Sequence, residues 1–129
     1  MESQPQNFDW VTARAECSIN VVFRTICLGI ESDVATRNAS IGTGTPFVTK
    51  YEGDDLVVFR NVQRSPFLVF RQTENGIEAL DGHTKAVRLA AFITLCDDGQ
   101  CRLMVGGAER VFWQFRRRAL EELFFVVSK

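Results

Sequence analysis

The spacing of apolar residues in this chain changes period twice, from helical to alternating and back to helical, and that double switch limits the fold more than any other feature. From Asp9 to about Ser40, Val11, Ala15, Ile19, Val22, Phe23, Ile26, Ile30 and Val34 recur mostly at steps of three and four. They form one stripe opposite Arg14, Glu31 and Arg37, the pattern of a helix packed along one side. Asp9 or Asn7 can cap its start, and Phe8 can pack back on the first turn. Val21 to Cys27 is rich in β-branched and aromatic residues, so a strand ending at Gly29 competes there. The helical spacing persists on both sides, which favours one long N-terminal helix.

Gly42 to Pro46 is a connector, because Pro46 forbids helix continuation. The period then becomes two. Strands are expected at Phe47–Tyr51, Leu56–Val62, Phe67–Glu74, Ile77–Leu80 and Cys101–Val105. Ala86–Cys96 is apolar and β-rich towards its end, although Thr84 could cap a helix over Lys85–Ala91 instead. Asn75-Gly76 and Asp98-Gly99 are the strongest hairpin signals, since both pairs tolerate the positive φ of a type I′ turn. Short turns force antiparallel neighbours, so a meander of five or six strands follows.

Gly106-Gly107 breaks the sheet. From Ala108 to Val127 the helical spacing returns, with Phe112, Phe115, Ala119, Leu123 and Val127 on one side and Trp113, Leu120 and Phe124 beside them. Glu109 in the first turn and Lys129 past the end carry the signs that the helix dipole favours. Arg117 with Glu121, and Arg118 with Glu122, are expected i,i+4 pairs. The predicted fold is therefore α+β, a long helix at each end of an antiparallel meander, with the last helix packed on the sheet.

A chain of 129 residues suits one domain spanning 1–129, with residues 1–8 expected to be flexible. Its apolar fraction of 46 % and charged fraction of 24 % are ordinary globular values. Eleven Phe against two Trp and one Tyr predict a bulky, strongly apolar core. A formal charge of −1 gives no general attraction to nucleic acid or anionic membrane. Met1 to Asn7 lacks the regions of a secretory signal, and no apolar run approaches the roughly 18 residues of a membrane helix. A cytoplasmic protein with reduced thiols is expected.

The four cysteines form no CxxC pair, so no zinc site is read from them. A two-residue turn at Asp98-Gly99 would set Cys96 opposite Cys101, close enough for a cross-strand disulfide; thiols are the expectation in a cytosolic setting. Cys17 and Cys27 lie ten apart on the predicted first helix, about 80° from sharing a face, and read as core. His83 is the single histidine, in a turn beside Asp81. Gly42-Thr43-Gly44 lacks the context of a phosphate loop, and the acidic turns at 52–55 and 97–99 lack the spacing of a calcium loop. Neither a metal nor a cofactor is expected. Residues 102–118 hold five Arg against Glu109 alone. Arg116, Arg117 and Arg118 are consecutive, so on a helix they point in three directions and cannot form one stripe.

Meander and terminal helix together resemble the helix-grip and cystatin-like arrangement, which implies an apolar ligand or a protein partner held between sheet and helix. Phe59, Phe70, Phe92, Phe112, Trp113, Phe115, Arg116 and Arg117 are the residues expected to bind it. The same apolar surplus on the last helix suits a protein partner or a homo-oligomer. Two other readings are an enzyme using His83 with Asp81, or with Asp54 and Asp55, and nucleic-acid binding through the arginine-rich helix. The enzyme reading lacks a nucleophile, base and orienting group that spacing can pair, and nucleic-acid binding is the weaker of the two, since the basic patch is short and the chain carries a net charge of −1.

Overall fold

In a computed structural model, which describes residues 7–42 and 44–125, the N-terminal stripe folds as two helices, α1 (Trp10–Glu16) and α2 (Ile19–Ile41). The expected single helix is broken at Cys17 and Ser18, where Ser18 is extended (φ −111°, ψ 157°). Asp9 caps α1 by accepting from the Thr12 amide at 3.1 Å. The apolar spacing runs through the break, yet only α2 uses it. Val22, Phe23, Ile26, Cys27, Ile30 and Val34 are buried on α2, whereas α1 buries nothing. The competing strand over Val21–Cys27 does not form.

Seven strands follow: β1 (Phe47–Glu52), β2 (Asp55–Arg60), β3 (Leu68–Gln72), β4 (Gly76–Asp81), β5 (Val87–Leu95), β6 (Cys101–Val105) and β7 (Ala108–Arg110), then α3 (Phe112–Phe125). They form one antiparallel sheet in sequence order. Residues 87–91 are therefore strand. The strand beyond the expected five or six is β7, which the helical pattern of residues 108–127 concealed. Gly106 and Gly107 have φ of +59° and +83°. That pair of left-handed residues makes a two-residue hairpin turn, pairing Val105 with Ala108. The last helix accordingly starts at Phe112, and Glu109 lies in β7.

Two other hairpins differ from expectation for reasons of geometry. Between β3 and β4 the Thr73 amide donates to the Gly76 carbonyl at 2.8 Å, so Glu74 and Asn75 occupy the turn. Neither Asn75 nor Gly76 has a positive φ. Gly76 is required by close approach instead, since a Cβ there would lie 2.1 Å from the Ala91 carbonyl oxygen on β5. Between β5 and β6 the loop has three residues. Gly99 (φ +85°) donates to Cys96 at 2.9 Å, and Cys96 to Gln100 at 2.9 Å. Leu95, not Cys96, then pairs with Cys101, and a one-residue offset turns Cys96 to the other face. A Cys96–Cys101 disulfide is thereby ruled out, and Cys101 is bonded instead to Cys17. The expectation of reduced thiols therefore fails for this pair, and Cys17 is no simple core thiol. Cys27 and Cys96 are free.

The core lies between one face of the sheet and helices α2 and α3. Ile26 and Ile30 of α2 and Phe115 and Leu120 of α3 meet Leu56, Phe70, Ile77 and Leu103 of the sheet, all at most 2 % exposed. A second, small cluster of Val57, Val69 and Leu80 lies on the opposite face, under Phe59 and Phe67. Asn38 fixes β1 to α2: its side-chain amide donates to the Phe47 carbonyl at 2.9 Å and accepts from the Phe47 amide at 2.8 Å, as a neighbouring strand would. Residues 1–6 of the expected flexible tail, Thr43 of the connector, and Val127 and Lys129 of the last helix lie outside the described residues.

Candidate functional site

The expected binding residues fall into three places. Phe70 and Phe115 are fully buried and meet edge to face, ring centroids 6.5 Å apart, and Phe112 packs half-buried beside them. These rings occupy the space that a ligand held between sheet and helix would take. Phe59 and Phe92 lie on the other face of the sheet, Phe59 half-buried and Phe92 exposed opposite Met104. Trp113, Arg116 and Arg117 come together on the outer side of the helical layer, lining a groove of about 420 Å³ between α2 and α3.

Helical spacing builds this groove from two facing stripes. Asp33, Arg37 and Ser40 recur at three and four on α2, and Trp113, Arg117, Leu120 and Phe124 do so on α3. Arg116 donates to Asp33 at 2.7 Å, and Arg37 reaches the Phe124 carbonyl with two nitrogens at 2.8 and 3.1 Å. Successive contacts climb both helices together, so α2 and α3 run side by side in the same sense. At Gly29 the Arg116 side chain lies directly over the bare backbone of α2, where a Cβ would sit 2.6 Å from its guanidinium. That contact gives this mid-helix glycine its purpose, where the sequence offered it as a strand end.

Arg37 has a further role. Its guanidinium takes the Phe124 carbonyl of the neighbouring helix, also bonds Ser40 at 3.1 Å, and stands 4.2 Å from the centre of the Phe125 ring. Two guanidiniums thus reach the groove already oriented, Arg37 on a carbonyl and Arg116 on Asp33, and Arg117 joins them from an exposed pair with Glu121 at 3.2 Å. The second expected helical pair does not form, since Glu122 bonds Arg88 of β5 rather than Arg118. Leu120 and Phe124 form the apolar floor. Trp113 is 53 % exposed at one end and Phe125 62 % at the other. Arg110 and Arg118 line an adjoining depression on the far side of Trp113. Groove and depression together hold five guanidiniums against the carboxylates of Asp33 and Glu121.

The residues of the enzyme reading are engaged otherwise. Asp81 Oδ1 accepts from the amides of His83 and Thr84, both at 2.9 Å, and those bonds, with Thr84 the larger influence, hold its carboxyl below the usual range. The His83 imidazole bonds the Ser65 carbonyl at 2.9 Å and stands edge-on to Phe67. Asp81 therefore shapes a turn and does not orient the imidazole as a general base requires. Asp55 pairs with Arg71 at 3.3 Å across the sheet. Among the described residues no group of three His, Cys, Asp or Glu could hold a metal ion, and no helix is long and apolar enough to cross a membrane.

The sequence pointed to Trp113, Arg116 and Arg117 but missed Asp33 and Arg37. Asp33 follows Ile26 by seven and Arg37 follows Ile30 by seven, so both continue the edge of the buried stripe of α2, and both are half-buried there. Their only signal was the i,i+4 spacing of an acid and a base, which does not show that a second helix lies against them. The chain matches no protein-family model, no curated protein and no solved structure.

Proposed function

We propose that this protein is a binding module whose recognition surface is the α2–α3 groove, and that it takes an acidic amphipathic helix of a protein partner. One observation carries the reading: Trp113 and Phe125 stand exposed at the ends of an apolar floor, between guanidiniums already held in place. Aromatic and arginine side chains are the usual anchors of protein interfaces, and fixed rotamers lose little entropy on binding. Two helices lying side by side leave a trough that a third helix fills with anchors at i, i+3, i+4 and i+7. Five guanidiniums against two carboxylates favour an acidic occupant. The same excess opposes self-docking, which would set one arginine-rich face against another. A cytoplasmic setting, expected from the sequence, would hold Cys17 and Cys101 as thiols and leave this surface unchanged, since neither residue lines it.

A displayed library of helical peptides, selected on the intact protein and counter-selected on Trp113→Ala, tests the reading. Enriched peptides should carry apolar residues at helical spacing flanked by Asp and Glu, and their affinity should fall with added salt. Enrichment of basic or non-helical peptides, or equal binding to Trp113→Ala, would refute it. Concentration-dependent dimerisation abolished by Trp113→Ala would instead identify a second copy as the occupant. Salt-sensitive binding of an oligonucleotide lost in Arg117→Glu would favour nucleic acid.

A further inference from the structure

We propose that the sheet face away from the helices carries a second site, for a small organic anion in which a phosphate or carboxylate is joined to a flat apolar body. The site is independent of the helix groove. A depression of about 350 Å³ lies over the small cluster of Val57, Val69 and Leu80, walled by the β2–β3 and β4–β5 loops.

Its floor is apolar and its rim is cationic. Phe59 and Phe67 form the floor, and each has an ammonium above it: Lys50 Nζ stands 5.3 Å from the Phe59 ring centre and Lys85 Nζ 5.7 Å from that of Phe67. Arg64 adds a guanidinium from the facing loop. Glu52 is the one carboxylate of the lining and bonds Lys50 at 2.9 Å. Among the described residues neither Arg64 nor Lys85 has a carboxylate at ion-pair distance, although the Lys85 charge reaches Glu52 from farther off.

Backbone geometry points to the same place. Only two non-glycine residues in the described chain are left-handed, Arg64 (φ +63°) and Lys85 (φ +66°). Side chains disfavour this conformation, and residues held in it cluster at binding sites. Here both are cations, on separate loops, at the rim of one depression. The loops are locked to each other. Gly82 donates to the Phe67 carbonyl at 2.8 Å, His83 bonds the Ser65 carbonyl at 2.9 Å, and the Phe67 ring lies where a Cβ on Gly82 would stand. Ser65 Oγ, also in the lining, is buried with no hydrogen-bond partner among the described residues, which is uncommon for a buried hydroxyl. A flat apolar body would lie along Phe59 and Phe67, with its acid group between Lys85 and Arg64.

Titration of the intact protein with phenyl phosphate and, separately, benzoate, followed through backbone amide NMR shifts, tests this assignment. Inorganic phosphate and benzyl alcohol serve as controls for each half of the ligand. Saturable shifts are expected at residues 62–67 and 82–85 below about 10 mM. Preference for phenyl phosphate would identify a phosphate ligand, and preference for benzoate a carboxylate. Arg64→Gly and Lys85→Gly should each weaken binding about fivefold or more. Because glycine accepts the left-handed conformation freely, both variants should melt no lower than the parent. Loss of binding without loss of stability supports the site. Absence of saturable shifts, or equal affinity in the two glycine variants, overturns it.

Discussion

Reducing the Cys17–Cys101 bond should destabilise the protein by several kcal/mol while leaving the sheet and α2 folded. The two half-cystines are 84 residues apart in sequence. In the chain-entropy treatment, closing a loop of that length in the unfolded chain is worth about 4.6 kcal/mol at 25 °C. Measured disulfide contributions run at about 2–5 kcal/mol, because the reduced unfolded chain keeps residual structure. For a chain of 129 residues, a loss of about 4 kcal/mol corresponds to a midpoint about 15 °C lower. Urea denaturation followed by far-ultraviolet circular dichroism, with and without dithiothreitol, reads this directly. The dependence on urea should also steepen on reduction, since the released chain expands further. Locally, hydrogen exchange should accelerate most over residues 7–17. Helix α1 buries none of its own side chains; it is tethered by this bond and by Phe8, whose ring lies where a Cβ on Gly99 would stand. Coincident curves with and without reductant, or four alkylatable thiols in the unreduced unfolded protein, would show that no such bond stabilises the chain in solution.

Three further outcomes follow from the packing. Gly76→Ala should cost about 3 kcal/mol or more by urea denaturation, because the added methyl meets the backbone of β5, which cannot step aside; a loss under about 1 kcal/mol would contradict the close approach. The Cys27 thiol is pushed up to about 11, first by burial and then by Glu31, with an opposing hydrogen bond from Tyr51. Its neutral form is the one the fold favours, so the associated stability is complete below its ordinary value of 9.0 and is lost as pH rises towards about 11. Denaturation curves in that window should fall more steeply for the parent than for Cys27→Ala, and parallel slopes would exclude the effect. Asp33→Asn and Arg116→Met should show a coupling of about 1 kcal/mol in a double-mutant cycle, and strict additivity would mean that the pair contributes nothing in solution.

The parts of this fold legible in the sequence are those decided by neighbours in the chain. Alternation over residues 47–105 announced the antiparallel sheet, and three-and-four spacing announced α2 and α3. What escaped depends on contacts between distant segments. The break at Cys17 accompanies a bond to a residue 84 positions away, and nothing in the local apolar spacing marks it. Gly76 read as a turn residue, yet its necessity comes from Ala91 on the next strand. Strand β7 escaped because Ala108 to Arg110 is too short for alternation to outweigh the helical pattern that follows. The groove was half legible. Exposed aromatic and basic residues on α3 drew notice to Trp113, Arg116 and Arg117, whereas Asp33 and Arg37 acquire meaning only when α3 lies beside α2. Phe70 and Phe115 were legible as large apolar residues, but composition does not tell the wall of a cavity from the filling of a core.

If Arg117 and its neighbours meet acidic residues of a partner helix over the α2–α3 groove, charge exchange will show it, through the affinity of a selected acidic helical peptide for the parent and for Arg117→Glu. The same pair is then measured with the facing peptide Glu changed to Lys. Arg117→Glu should weaken binding about tenfold or more, and the exchanged peptide should restore much of the loss. An affinity indifferent to Arg117→Glu, or a loss that no exchanged peptide recovers, would contradict it.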